Sequence, residues 1–322
     1  MAIMQEPASD MADRDKGRMA DLSDYSLVEV VGDDAKSFLF GLTTSDVKQV
    51  SPSYSQFSAI CDTKGRVIAS FIIINRAGAF YLFLPKDMVE QVVRKLRLHV
   101  LRAKVTINCS GDQVKLIGLS GLDSTNVLAQ YLAIPTPANA PGETVHCGDF
   151  SIVRLPGQAN PHWLVVGSND SMTGLWDKLS AKLQTIDQEA WHALDINNGV
   201  PFIVPSTSGE YLPQMLNFEA MGGLSFTKGC YPGQEIIARL HYRGKLKRRL
   251  YVAHSDTDSL PAAGTQLFHP DSTNCIGHVL SAARQHNGKI ILQAVIEIEQ
   301  HDQGEVVLDK PEGTKLIFVP EN

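Results

Sequence analysis

Residues 226–239 read FTKGCYPGQEIIAR and combine a thiol, a cation, two glycines, a proline and a carboxylate in one short segment. Gly229 and the Pro-Gly pair at 232–233 predict a tight turn, because glycine tolerates positive φ and proline fixes φ near the turn value. From Gln234 onward the apolar residues recur at helical spacing. The segment therefore predicts that Cys230 lies on a tight loop immediately before a short helix.

The chemistry of Cys230 has two interpretations. A thiolate there would face the positive end of the helix dipole and the ammonium of Lys228, and both stabilise a thiolate. His241 follows closely enough in sequence to serve as its base. A free cysteine is, however, commonly a small buried hydrophobic residue. The residue types alone leave a reactive thiol and a structural cysteine equally open.

A basic segment follows directly. Residues 239–249 read RLHYRGKLKRR, with a basic or histidine side chain at every second position from 239 to 247. On a strand, residues at a spacing of two share one face. That face would form an anion site for phosphate, a polyglutamate tail or RNA, through Arg243, Lys245 and Lys247. The alternative is a solvated strand face, which is the commoner role of a charge run.

The composition is that of a globular protein long enough for two or three domains. The chain has 322 residues, of which 43% are hydrophobic and 20% charged, and its formal net charge is -6. That charge argues against a generally basic nucleic-acid-binding protein. The longest largely apolar run, residues 67–74, is shorter than the ~20 residues that span a bilayer. A polar N-terminus without an apolar signal region predicts a cytoplasmic protein whose residues 1–20 form a disordered tail.

Five cysteines stand at positions 61, 109, 147, 230 and 275. Their odd number and wide spacing argue against both a compact disulfide framework and a CxxC metal site. They favour a reducing compartment, and no metal site is predicted.

Strand and helix patterns interleave without regular βαβ repetition, which favours an α+β fold over a doubly wound sheet. A β-hairpin is predicted at residues 57–74 with its turn at 62–65. Helices are predicted at 35–42, 85–98 and 189–196. After the cysteine loop the pattern is all-β, with an Asn-Gly hairpin signal at 286–288, and predicts a small terminal β-barrel or sandwich.

Residues 224–239 closely resemble the signature of the YgfZ family of folate-binding proteins, which are related in fold to the aminomethyltransferase (T-protein) of the glycine cleavage system. The core motif K-G-C-Y-x-G-Q-E is complete, at Lys228, Gly229, Cys230, Tyr231, Gly233, Gln234 and Glu235. The resemblance extends to LFGLTTSDV (39–47), CDTKGR (61–66) and WHALDINNGVP (191–201), and so covers most of the chain beyond its first twenty residues.

The resemblance implies a ring of three subdomains, the last a β-barrel, around a channel that binds tetrahydrofolate or a one-carbon derivative. Residues 21–240 are then expected to form a folate-binding α+β region of two interleaved, discontinuous subdomains, and residues 241–322 the C-terminal β-barrel. Family members support the synthesis or repair of iron–sulfur proteins, including enzymes that thiolate tRNA. The expected partners are therefore folate and iron–sulfur enzymes or assembly proteins, with tRNA as a further candidate and no membrane.

The resemblance also implies roles for single residues. Cys230 corresponds to the family's functional cysteine, and Lys228 is beside it. Trp191 corresponds to a folate-contacting tryptophan, and the second aromatic position, a tryptophan in relatives, is Tyr25 here. Arg239 is expected to meet the glutamate tail of the folate. Asn197 stands where relatives often have Glu, so no acidic folate contact is expected there.

T-proteins carry an acidic pair on the strand after the hairpin turn, and one of its aspartates is needed for transfer chemistry. Here the pair is replaced by Ala69 and Ser70, neither of which can act as a carboxylate base or stabilise a cationic iminium. This departure argues against glycine-cleavage activity.

Three functions are therefore weighed. The leading one is a tetrahydrofolate-binding accessory protein of iron–sulfur metabolism that acts through Cys230. The second is a folate-dependent one-carbon transferase, against which the missing acidic pair weighs. The third is a tRNA-binding module that uses residues 243–249, against which the net charge weighs.

Overall fold

A computed structural model describes residues 16–110, 113–132, 140–157, 159, 161–285 and 287–320 of the chain. In chain order its strands are β1 (Arg18–Asp21), β2 (Tyr25–Val31), β3 (Gln56–Cys61), β4 (Val67–Arg76), β5 (Ala79–Pro85), β6 (Thr106–Cys109), β7 (Val114–Ser120), β8 (Thr144–Cys147), β9 (Phe150–Arg154), β10 (His162–Ser168), β11 (Gln184–Thr185), β12 (Arg248–Ser255), β13 (Gln266–Phe268), β14 (Cys275–Arg284), β15 (Ile290–Glu297), β16 (Val307–Leu308) and β17 (Leu316–Phe318). The helices are α1 (Ala35–Phe40), α2 (Val89–Arg97), α3 (Leu122–Leu132), α4 (Asn169–Ser180), α5 (Gln188–Asn197), α6 (Gln234–Arg243) and α7 (Ile298–Gln303).

The first sheet has the strand order β3-β4-β5-β2-β6 and is antiparallel throughout. Its β3–β4 hairpin confirms the hairpin predicted from the sequence. The turn is stabilised by Asp62, whose Oδ1 accepts hydrogen bonds from the backbone N–H groups of Lys64 and Arg66 at 2.8 and 2.9 Å. Gly65 adopts a φ of 77°, a conformation that glycine adopts without a steric penalty.

The second sheet has the order β11-β1-β7-β10-β9-β8. One of its strands, β1, precedes the strands of the first sheet in the sequence, and the others follow them. Strand β1 pairs with β7 in antiparallel and with β11 in parallel orientation. The disordered tail predicted for residues 1–20 is therefore wrong at its end, because Arg18–Asp21 is an inner strand and Met19 and Ala20 are fully buried. Residues 1–15 lie outside the described part of the chain.

The terminal sheet has the order β16-β13-β14-β15-β12-β17 and is curled. An isolated bridge joins Val307 of β16 to Lys315, the residue immediately before β17. The hairpin predicted at 286–288 connects β14 and β15, with Gly288 at a φ of 81°, while His286 lies outside the described residues.

The strand predicted for the basic segment is wrong over most of its length. Residues 239–243 belong to α6, residues 244–247 form a connection, and β12 begins only at Arg248. A helix rotates successive residues by about 100°, so alternate residues do not share a face. The boundary proposed between residues 240 and 241 also falls inside α6.

The three sheets share one hydrophobic core. A single cluster of buried side chains includes Leu82 of the first sheet, Leu164 of the second and Val295 of the terminal sheet. Because the sheets bury one another's apolar faces, their relative placement is part of the packing, and it determines what lies between them.

Helix α6 begins where two backbone segments touch. Gly233 precedes the helix with a φ of 78° and lies on the β3–β4 turn. A Cβ atom on Gly233 would be 2.4 Å from the Cα atom of Gly65 and 2.5 Å from the carbonyl oxygen of Asp62. The predicted loop-then-helix arrangement is confirmed, and glycine is required at 233 both for its φ and for this approach.

We therefore expect Gly233→Ala to lower the free energy of unfolding by about 3 kcal/mol or more. A positive φ costs an alanine about 1–2 kcal/mol, and the clash of its Cβ atom with the backbone of the hairpin adds to that cost. Gly222→Ala is the matched control, because Gly222 has a φ of 66° with nothing within 4 Å of an added Cβ. Denaturant unfolding of the two variants measures the difference. Equal losses would mean that the contact with the hairpin contributes nothing.

Candidate functional site

A pocket of about 490 Å³ lies where the first sheet, helix α5 and the terminal sheet meet. This volume is within the roughly 300–1,000 Å³ typical of small-molecule sites. The described residues that line it are Asp24, Tyr25, Pro85, Lys86, Asp87, His192, Asp195, Ile196, Val200, Phe202, Val204, Ser281 and Ala282. No single sheet supplies the whole wall.

Aromatic rings form one side of the pocket. Tyr25 stacks on Phe83 with ring centroids 4.8 Å apart, and the ring of Phe202 meets Tyr25 edge-on at 5.5 Å. The imidazole of His192 approaches Tyr25 from another direction at 5.6 Å. Edge-to-face and offset-stacked contacts at these distances hold the rings in fixed orientations. The wall is therefore a rigid, largely apolar surface.

Asp195 places a fixed carboxylate in this pocket. The hydroxyl of Tyr25 donates a hydrogen bond to Asp195 Oδ2 at 2.5 Å, and His162 Nε2 lies 3.3 Å from Oδ1. Burial, followed by the charge of Asp195, raises the pKa of Tyr25 well above its ordinary value, so the phenol stays protonated and acts as the donor. Asp195 is only 5% exposed, and its contacts with Tyr25 and His162 fix the orientation of its carboxylate.

The pocket is acidic overall. Asp24, Asp87 and Asp195 line it, against the ammonium of Lys86. His192 Nε2 lies 3.9 Å from Asp24 Oδ2. Burial raises the pKa of Asp87 from its ordinary value, and the charge of Asp24 adds to the effect. Such a lining favours a ligand that presents hydrogen-bond donors.

Two of the predicted folate contacts lie elsewhere. Trp191 is 1% exposed, its ring lies against Gly118, and it is absent from the pocket lining. Trp191 therefore packs in the core instead of lining this pocket, contrary to the expectation that it forms a wall. Arg239 is exposed on α6 and does not line the pocket either. Tyr25 does line the pocket.

The sequence analysis missed Asp195 and Phe202. A signal for Asp195 was present, since this acid stands between Leu194 and Ile196 in an otherwise apolar helical segment. It lies three residues after His192, a spacing that puts two helical residues on one face. The pocket thus contains a carboxylate two positions before Asn197.

Lys228 anchors the cysteine loop. Its Nζ donates hydrogen bonds to the carbonyl oxygens of Phe40 at 2.6 Å and Thr43 at 2.5 Å, at the end of α1. It also lies over the rings of Phe40 and Tyr231, at 4.6 and 4.9 Å from their centroids. Burial lowers the pKa of Lys228 to about 8. Its ammonium, predicted to act on the thiol, is thus committed to backbone carbonyls.

Three sequence motifs meet under this loop. Thr44, after α1, donates to the carbonyl of Gly223 at 2.6 Å and accepts a backbone hydrogen bond from Ser225 at 2.9 Å. Gly233 rests on the β3–β4 turn, as described above. Tyr231 is buried within the core. The segments 39–47, 61–66 and 228–235 therefore form one rigid frame.

Cys230 is exposed on this frame, and the four remaining thiols range from fully buried to exposed. Cys61 is fully buried, and burial raises the pKa of its thiol, so its place beside a turn does not make it accessible. Cys147 and Cys275 are half-buried. Cys109 is exposed and is the natural comparison for Cys230.

His241, considered as a base for Cys230, has other contacts. Its ring stacks on Phe226 at 3.7 Å, and its Nδ1 lies 3.6 Å from Glu219 Oε1. It belongs to the last turn of α6, whereas the thiol precedes the first.

The alternating basic residues do not form the continuous strand face that the sequence suggested. Lys245 is exposed and ion-paired with Glu299 at 3.3 Å. Arg239 and Arg243 are exposed one helical turn apart on α6, and Lys247 is exposed in the connection to β12. Acids supplied by α7 and β15 thus interrupt a charge run that is unbroken in the sequence.

Ala69 and Ser70 are both buried in β4. Ser70 Oγ donates to the carbonyl of Pro201 and accepts from the N–H of Ile203, each at 2.9 Å. Ser70 therefore joins the first sheet to the pocket segment that carries Phe202, and this pair contributes no carboxylate.

None of the helices in the described part of the chain has the length and apolar character that a membrane crossing needs. The described side chains also contain no group of three His, Cys, Asp or Glu residues that could hold a metal ion.

Comparisons with known proteins agree with this architecture. The family model described as the GCVT N-terminal domain matches residues 8–152. The tRNA-modifying protein YgfZ of Colwellia psychrerythraea is 31% identical over 281 residues, covering 86% of this chain and 85% of that protein. Its counterpart in Klebsiella pneumoniae is 30% identical over 277 residues, covering 85% and 84%.

A solved structure extends the likeness to the fold. The glycine cleavage system aminomethyltransferase T from Bartonella henselae superposes with a TM-score of 0.73 at 15% identity, covering 97% of this chain and 87% of that one. At this identity the likeness concerns the fold alone, and it confirms the predicted α+β architecture of T-protein type.

We expect Lys228→Met to lower the free energy of unfolding by about 2 kcal/mol or more, because two buried carbonyls lose their donor. Lys48→Met is the control, since Lys48 also lies over Phe40, at 4.5 Å, but is exposed. Denaturant titrations from pH 7 to 10.5 check both variants. Because the native pKa of about 8 is below the ordinary 10.5, the unfolded state binds more protons between those values, and wild-type stability should rise with pH there. A rise that persists in Lys228→Met would contradict this assignment.

Proposed function

This chain belongs to the family of proteins named tRNA-modifying protein YgfZ, and on that premise we propose that it binds tetrahydrofolate, or a one-carbon derivative, and acts through Cys230. In this proposal it supports the synthesis or repair of iron–sulfur enzymes, including enzymes that modify tRNA. Its partners are folate and iron–sulfur enzymes or their assembly proteins.

The observation that carries the proposal is the pocket with its buried carboxylate. A pterin is flat and presents adjacent N–H donors from its ring amide and its 2-amino group. A carboxylate can accept two such hydrogen bonds at once, and Asp195 is held ready to do so. Tyr25 and Phe202 supply an apolar aromatic surface for the ring.

Cys230 supports the second part of the proposal. Its thiol is exposed while its neighbours Lys228 and Tyr231 are buried, so the loop presents sulfur on a rigid base. Preorganisation of this kind suits a thiol that reacts with, or helps ligate a metal in, another protein. None of the loop residues lines the pocket, and the proposal therefore assigns folate binding and thiol chemistry to separate places.

The basic end of α6 offers a surface for an anionic client. Arg239, Arg243 and Lys247 are exposed, and Tyr242 is 67% exposed beside them. Cations next to an exposed aromatic ring are the features by which proteins hold RNA backbones and unstacked bases. We include tRNA contact at this surface in the proposal. Cys230 lies on the loop that precedes the other end of α6.

A one-carbon transferase is the less supported function. Ser70 uses both its donor and its acceptor capacity on backbone groups, and Ala69 has no polar group. The candidates for acid–base chemistry are Asp24, Asp87, His192 and Asp195, which lie in the pocket rather than on β4.

We expect the chain to bind tetrahydrofolate, and Asp195→Asn to weaken binding by about 10–100-fold, because a charge-assisted hydrogen bond contributes roughly 1.5–3 kcal/mol. Asn197→Ala on the same helix is the control, since Asn197 is absent from the pocket lining. Calorimetry with each purified variant, after circular dichroism has established folding, measures the effect. Failure of the wild-type chain to bind any reduced folate would refute the folate proposal, and unchanged affinity in Asp195→Asn would remove Asp195 from the site.

We expect Cys230→Ser to abolish iron–sulfur support while folding and folate binding persist, because the change is nearly isosteric. Cys109→Ser is the matched control at an equally exposed thiol. The measurement is growth complementation of a bacterial strain lacking its own homologue, with the activity of an iron–sulfur enzyme as the readout. Full complementation by Cys230→Ser would show that the thiol is not the functional group.

A further inference from the structure

We propose that the groove along helix α2 binds the γ-linked polyglutamate tail of the folate. The inference rests on the proposed function and specifies its ligand as a polyglutamylated rather than a monoglutamylated folate. It also moves the tail away from the basic segment 239–247, where the sequence had suggested it.

The groove and the pocket share one lining residue, Lys86. The groove has a volume of about 770 Å³, and its lining includes Ser26, Lys86, Arg94, Arg97 and Cys109. A smaller depression of about 420 Å³ shares Tyr25 with the pocket and Ser26 with the groove. Lys86 lines all three spaces, so a ligand bound against Tyr25 could continue past Lys86 along α2.

The charge of the lining reverses along this path. In the pocket, three carboxylates stand against the single ammonium of Lys86. In the groove, the three cations Lys86, Arg94 and Arg97 stand against the single carboxylate of Glu90. The ligand has the complementary polarity, since the pterin end presents N–H donors and each added glutamate brings a carboxylate. The chain as a whole carries a net charge of -6, so the cationic lining of this groove is a local departure from the charge of the protein.

The helix dipole explains only part of this cationic lining. Arg94 and Arg97 are in the last turn of α2, where cations stabilise the helix terminus, and Arg97 Nη2 also donates to the carbonyl of Ile107 at 3.0 Å. Lys86 is at the opposite end, in the turn that leads into α2, where a cation opposes the dipole. Its backbone N–H is bonded to the carbonyl of Asp24 at 2.8 Å, and its side chain is exposed. An anionic ligand accounts for Lys86 as well as for the two arginines.

The basic segment is the rival location for the tail. Its cations line neither the pocket nor the groove, and Lys245 is paired with Glu299. A test must therefore include both cation sets.

The experiment compares the dissociation constants of tetrahydrofolate monoglutamate and pentaglutamate for the full chain. We expect wild type to prefer the pentaglutamate. Arg94→Gln combined with Lys86→Gln should reduce that preference by about tenfold, because the double variant loses two partly exposed ion pairs with the carboxylates of the tail. Arg102→Gln, at an exposed arginine outside the groove, and the pair Lys245→Gln and Lys247→Gln should both retain the preference. Raising the salt concentration should reduce it in wild type.

A second measurement needs no substitution. Because Cys109 lines the groove, bound pentaglutamate should slow its alkylation relative to bound monoglutamate, whereas Cys230 should react at the same rate with either ligand. Equal labelling of Cys109, equal affinity of wild type for the two ligands, or loss of the preference only in the Lys245 and Lys247 variant would each overturn the groove assignment while leaving folate binding intact. Absence of binding by both ligands would instead refute the proposed function.

Discussion

The contact between two glycine backbones, Gly233 before helix α6 and Gly65 in the β3–β4 turn, is the constraint on which the candidate thiol site depends. It leaves no room for a side chain, so it fixes where the cysteine loop meets the first sheet. From that position Lys228 reaches the end of α1, and its ammonium replaces water as the partner of two carbonyls. The loop that carries the exposed Cys230 is therefore held by contacts with separate segments of the chain.

The pocket depends in the same way on contacts between distant segments. The hydrogen bond from Tyr25 to Asp195 joins β2 to α5, and Ser70 joins β4 to the segment carrying Phe202. A shared hydrophobic core holds the sheets at the separation that makes these contacts possible. No single sheet forms the wall of the pocket. Loosening of the packing between any two of these sheets would therefore disrupt the pocket.

The two sites use charge differently. In the pocket the carboxylates outnumber the cations, and Tyr25 prepares one carboxylate by donating to it. At the cysteine loop a cation is buried, and it donates hydrogen bonds to two backbone carbonyls. The basic end of α6 and the groove along α2 each carry exposed cations, but they face different spaces and so suit different anions.

Local signals in the sequence were sufficient for the turn at Gly229 to Gly233, the hairpin around Gly65, the α+β class and the place of Cys230 on a loop before a helix. These features follow from backbone preferences and short-range patterns, which act within a few residues. The sequence could not show that Trp191 packs into the core while Asp195, one turn later, faces the pocket, because the neighbouring sheets decide which side of α5 is covered. It likewise could not show that Lys228 binds carbonyls 185 and 188 residues away, or that Lys86 stands between a pocket and a groove. Those roles depend on long-range packing, which alone determines the burial, the partners and the electrostatic surroundings of a side chain.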